Sequence, residues 1–166
     1  MELVNINREN FDYQEFFASN TADRLGIDNL GEFKKELHYK TYINNLVNLS
    51  YQLQKLRDLL NCQEFYDLSK LDNVFIKINS GYRCPALNKA VDGRANSQHM
   101  KGEAVDFNIN NIRDIKFLKT VAKYIKSKNF QVDQLLVENT WIHFSCKLQE
   151  NRNMFGTYIN GKFVSF

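Results

Sequence analysis

Apolar residues recur at steps of three and four through residues 42–60, where Leu46, Leu49, Leu53, Leu56 and Leu60 fall on one stripe. That period predicts a helix with a buried leucine face. From Asn73 the period drops to two. Val74-Phe75-Ile76-Lys77-Ile78 is β-branched and aromatic and stops at Ser80-Gly81, which predicts a strand. Residues 104–109 also alternate: Val105, Phe107 and Ile109 share one side, and Ala104, Asp106 and Asn108 the other. An amphipathic helix is predicted over 112–126, with Ile115, Leu118, Val121, Ala122 and Ile125 inward. Strands over 132–138 and 141–146 follow. In the second, Ile142 and Phe144 form the core side, while Trp141, His143 and Ser145 share the other. Near the C-terminus, Asn160-Gly161 between Tyr158-Ile159 and Lys162-Phe163 predicts a hairpin through a type I′ turn. Short helical segments are predicted near 13–18 and 22–25, punctuated by Gly26 and Asp28-Asn29. Helices come first and a mostly antiparallel sheet after them, so the fold class is α+β, with a helical N-terminal half packed on the sheet.

The 166 residues hold no internal repeat, no linker and one proline, which suggests a single domain over 1–166. A chain of this length buries roughly two-thirds of its unfolded surface. The net charge of +3 is spread along the chain instead of clustered, which argues against a nucleic-acid partner. It suits an anionic polymer such as a cell-wall glycan. No apolar run approaches the roughly 18 residues of a membrane span, so no membrane insertion is expected. The N-terminal residues carry no basic and apolar signal-peptide pattern. Cys62, Cys84 and Cys146 are odd in number and lack tandem spacing, as expected of reduced packing thiols in a protein made in the cytoplasm. A monomer is expected.

Chemistry gathers at two places. The chain has three histidines, and two of them, His99 and His143, sit in Ser97-Gln98-His99-Met100-Lys101-Gly102-Glu103-Ala104-Val105-Asp106 and Trp141-Ile142-His143-Phe144-Ser145. A His, a carboxylate seven residues on and a distant second His make a three-ligand set. A catalytic Zn²⁺ uses such a set when its fourth position stays open for water. Strand parity puts Asp106 and His143 opposite the packed side of their strands, and a Gly/Asn/Ser-rich loop, Gly93-Arg94-Ala95-Asn96-Ser97, precedes His99. The third histidine, His38, lies in a Lys-rich polar stretch and is expected in solvent.

Ser80-Gly81-Tyr82-Arg83, Asn88, the Ser97-x-His99-x-x-Gly102-x-Ala104-x-Asp106 pattern and Trp141-Ile142-His143-Phe144-Ser145 together resemble the M15 family of zinc peptidases. That family includes D-alanyl-D-alanine carboxypeptidases and the L-alanyl-D-glutamate endopeptidases that phages use as endolysins, and it shares its fold with the Hedgehog signalling domain. The resemblance implies zinc held by His99, Asp106 and His143, with Arg83 on the substrate carbonyl, and Ser97 and Gln98 beside the metal or the substrate. Gly102 would let the loop turn tightly beside the metal. The dipeptidase branch places its general base three residues before the last His ligand, where this chain has Thr140. The nearest carboxylate is Glu138, which we take as the base, with Asp133 as second candidate. The implied reaction is hydrolysis of an amide in a peptidoglycan stem peptide by a phage lysin, released through a pore or carried on the virion. The alternative is a zinc-containing binding or structural module without turnover, such as a component of the virion.

Overall fold

The leucine stripe folds as the period predicts. In the computed structural model, which describes residues 2–166, the long helix α3 (Tyr39–Leu60) buries Leu46, Leu49, Leu53, Leu56 and Leu60. Each such burial contributes about 1.5–3 kcal/mol. The helix begins ahead of the apolar period because Tyr39 packs on Phe33 of α2 (Asn29–Lys35), ring centroids 5.1 Å apart. Before these lie 3₁₀ turns at Glu2–Ile6 and Tyr13–Phe16 and the short helix α1 (Asn20–Leu25), capped by Ser19. Three short helices not foreseen from periodicity, α2, α4 (Gln63–Ser69) and α5 (Pro85–Ala90), have too few turns to display one.

The sheet has six strands: β1 (Ile76–Ser80), β2 (Ala104–Ile109), β3 (Gln134–Val137), β4 (Ile142–Ser145), β5 (Met154–Ile159) and β6 (Lys162–Ser165). Their spatial order is β1-β2-β4-β3-β5-β6. All pairs are antiparallel except β3 with β5. The predicted hairpin joins β5 to β6, with Asn160 and Gly161 both left-handed at φ 50° and 74°. Between β2 and β3 runs α6 (Ile115–Ser127). It starts later than predicted, because the Asp114 carboxylate accepts from the Phe117 amide and fixes the N-cap there. Ile115, expected inward, is exposed on the first turn.

Period-two alternation divides the sheet into two faces. Val105, Phe107 and Ile109 of β2, Leu135 and Val137 of β3, and Ile142 and Phe144 of β4 are fully buried in one core cluster with the helices. The pairing carries the other face across the strands as a row. Ser80 faces Asp106, Asp106 faces His143, His143 faces Leu136, and Leu136 faces Gly156. A register shift between Ile78 and Ser80 brings Ser80 into that row and turns the chain toward Arg83.

The helical half holds the end of β1 tightly. The Tyr82 amide donates to the Phe16 carbonyl at 2.7 Å, and a Cβ on Gly81 would stand 2.3 Å from that oxygen and 2.7 Å from Phe16 Cα. Buried Asn29 fastens the same stretch, its amide nitrogen donating to the Phe17 and Tyr82 carbonyls while its oxygen accepts from the Cys84 amide. Gly81→Ala must therefore push two backbones apart. We expect a loss of about 1–3 kcal/mol, read as a lower urea midpoint. An unchanged midpoint would show that the close approach is not needed.

Candidate functional site

His99 sits in a 3₁₀ turn (Gln98–Lys101) that is closed by Gly102 in the left-handed region at φ 69°. A side chain at 102 would be doubly costly, since a Cβ there would lie 2.8 Å from Leu46 Cγ and 2.9 Å from the Tyr42 carbonyl. Asn45 of the same long helix donates to the Lys101 carbonyl at 2.9 Å. The leucine helix thus braces the turn that carries His99.

The His99 ring is buried, and its Nδ1 lies 2.8 Å from the Gly81 carbonyl oxygen. A carbonyl only accepts, so Nδ1 carries the proton and Nε2 is left with its lone pair. That Nε2 points at Asp106 Oδ1, 3.4 Å away. His143, directly across the β2–β4 ladder, brings its Nδ1 to 2.9 Å from the same oxygen. Asp106 Oδ2 meets the Arg83 guanidinium at 2.6 Å, and Arg83 Nε donates to Ser80 Oγ at 2.8 Å. Burial pushes the Asp106 carboxyl up, but the two imidazoles reverse this and hold it well below the usual carboxylate range. Burial likewise lowers His99, favouring its neutral form.

Acceptor atoms of His99, Asp106 and His143 all lie within 4.8 Å of one another. A bare imidazole nitrogen aimed at a carboxylate oxygen is repulsive unless a cation stands between or beside them. Two imidazoles and one carboxylate, with the tautomer of His99 set by a backbone carbonyl and the far oxygen of Asp106 held by Arg83, fit a divalent metal of the zinc type.

This cluster opens into a cleft of about 870 Å³, whose walls include Arg83, Ser97, Gln98, Glu138, Trp141 and Arg152. Glu138 reaches it because Leu136 faces His143 across β3–β4, and period two carries the next position onto the same side. The turn back is short, the Glu138 amide donating to the Trp141 carbonyl at 2.9 Å. Burial raises the Glu138 carboxyl, with Asp106 adding to the rise and His143 opposing it. Asp133, the second carboxylate considered from sequence, is elsewhere. It is fully buried and ion-paired to Arg152 and to Lys147 at 3.2 Å. Burial raises it, but these partners bring it down to about 2. A carboxylate so committed has no free oxygen for proton transfer. Its partners also include Gln98, whose amide nitrogen donates to Asp133 Oδ2 at 3.0 Å while the residue borders the cleft.

Several contributors were not singled out from sequence. Arg152 lines the cleft from the loop after β4, where nothing in its neighbours marks it. Asn88, noted only as part of a motif, is buried and donates to the Arg94 carbonyl at 3.0 Å, pinning the cleft-edge loop. His38 is exposed at the start of α3, away from the cluster. Cys84 and Cys146 are buried and Cys62 partly so, all as free thiols. No helix among the described residues is long and apolar enough to cross a membrane.

A family profile described as Peptidase M15 matches residues 9–145, a span that contains His99, Asp106, His143, Arg83 and Glu138. No curated protein matches the chain.

The cluster makes a direct prediction about metal binding. Wild-type protein should take up one divalent metal per chain, and His143→Ala should lose it, measured as metal content after gel filtration. Removing an outer partner typically costs 10–100-fold in affinity, so Ser80→Ala, which frees the Arg83 Nε, should weaken binding by no more than about that. Full metal occupancy in His143→Ala would remove that residue from the set.

Proposed function

The chain belongs to the M15 peptidase family, and on that premise we propose that it is a zinc-dependent hydrolase of an amide bond in peptidoglycan stem peptides, working as a phage lysin at the cell wall. The observation that carries this reading is the shared cleft. A three-residue metal cluster, an unpaired carboxylate with a raised pKa and a guanidinium all border one open space.

Zinc held by His99, Asp106 and His143 would supply a Lewis acid for the scissile carbonyl and lower the pKa of water to about 7. Glu138 accepts the proton of the attacking water and returns it to the leaving amine. Its burial suits the task, because a carboxyl raised above the ordinary glutamate range takes the proton of the water more readily. Arg83 faces the oxygen on which charge develops. With Nε on Ser80 and one Nη2 hydrogen on Asp106, its Nη1 group remains to donate. Those two bonds also fix the guanidinium before substrate arrives, which is what makes such a donor effective. Ser97 and Gln98 border the cleft and would contact the peptide backbone. The mild positive charge of the chain favours approach to an anionic wall polymer.

Glu138→Gln is nearly isosteric and should keep fold and metal while losing about 10²–10⁴-fold in rate, measured as release of new amino groups from purified cell walls. Arg83→Ala should lose about 10²–10³-fold in kcat. Rate should fall on acidification as Glu138 becomes protonated, with the acid limb above the ordinary glutamate value of about 4.3. Mass spectrometry of the digested fragments identifies the bond cut. If the metal-loaded wild type cleaves no stem peptide, the chain is a binding module and the lysin reading is wrong.

A further inference from the structure

The turn that presents Glu138 is held at its crest by a residue from another strand. Asn108 lies on β2 two positions beyond Asp106, on the same face, and is 9% exposed. Its side-chain nitrogen donates to the Thr140 carbonyl in a short bond and to the Ile112 carbonyl at 3.4 Å. Its oxygen accepts from the Asn79 amide of β1 at 2.5 Å. The orientation of the amide follows from its partners: two carbonyls require the NH₂ end, and an NH₂ donor requires the oxygen. One side chain thus joins β1, the strand carrying Asp106, the turn before α6 and the β3–β4 turn.

We propose that Asn108 is the positioning residue for Glu138. The β3–β4 turn has two fastenings: the Glu138 amide to the Trp141 carbonyl within the turn, and the Thr140 carbonyl to Asn108 from outside it. The first closes the turn but leaves it free to pivot about the ends of β3 and β4. The second ties its crest to the strand that bears Asp106. Glu138 and Asp106 therefore keep a fixed separation through two residues of one strand and one amide. The arrangement also gives Thr140 a use. Thr140 cannot accept a proton as a base would, but its backbone carbonyl is the anchor point, and the carboxylate stands at Glu138 instead.

The hydrogen bonds of the Asn108 side chain go to Asn79, Ile112 and Thr140 and none to His99, Asp106, His143 or Glu138 among the described residues, so it acts through the turn. A bonded amide at this burial is costly to remove, and a misplacement of about 1 Å costs on the order of 10²-fold in rate. The inference rests on Glu138 being the base, and the two readings fail differently.

The test compares Asn108→Ala and Asn79→Ala with wild type in the zinc-loaded protein. Three quantities are read: kcat and KM separately on a soluble stem peptide, zinc per chain, and hydrogen exchange of the Glu138 amide. For Asn108→Ala we expect kcat down on the order of 10²-fold, KM and zinc content unchanged, and exchange at Glu138 at least about tenfold faster. Asn79→Ala leaves the Thr140 bond in place but releases the amide oxygen, and should show the same pattern at smaller amplitude. It keeps the inference testable should Asn108→Ala fail to fold. Unchanged exchange at Glu138, unchanged kcat, or zinc and KM deteriorating in step with kcat overturns the positioning role. Failure of the base assignment appears separately, as full activity in Glu138→Gln.

Discussion

A half-buried carboxylate organises this molecule. Asp106 lies on the interior strand β2 with little access to water, and a carboxylate there is tolerable only if its charge is answered on every side. Its two oxygens divide the task, Oδ2 to Arg83 and Oδ1 to His143 and His99. Each partner comes from a different part of the chain. Arg83 follows β1, His99 sits on a turn against the long helix, and His143 is on β4. The site is the place where these segments must meet to satisfy one charge, and a metal ion there would complete the same neutralisation.

Much of the surrounding structure serves that meeting. The N-terminal helices add no side chain to the cluster, yet the Phe16 backbone confines Gly81, the Asn29 side chain ties down Tyr82 and Cys84 on either side of Arg83, and the Leu46 side chain with the Tyr42 carbonyl confines Gly102. The Gly81 carbonyl selects the tautomer of His99, and the His99 carbonyl accepts from the Arg83 amide at 3.2 Å. Strain on either segment is passed to the other. On the far side, Asp133 is drawn below the surface by Arg152, Lys147 and Gln98, so that one carboxylate is locked while Glu138 stays open to the cleft. The same residue type takes two roles because its surroundings differ.

Alternation along β2 and β4 made the ligand face legible without coordinates. A strand with one packed side must turn Asp106 and His143 away from it, and Phe107, Phe144 and Ile142 made that side plain. The leucine helix and the Asn160-Gly161 hairpin were equally clear, because each depends on local period or local turn chemistry. The start of α6 was misplaced because the Asp114 cap outweighs the apolar period running through Ile112 and Ile115.

The sequence by itself determined the α+β class, the two faces of the central strands and the identity of the three clustered residues, since these follow from periods of two and of three to four, and from residue chemistry. Only the tertiary structure decided the β3–β5 parallel pair, the register that sets Asp106 against His143, and the separation of Glu138 from Asp133. Those depend on which strands become neighbours and on which charges are brought together. The sequence ranks Glu138 ahead of Asp133 by its nearness to His143, but what removes Asp133 is that Arg152 and Lys147 from a later loop claim it.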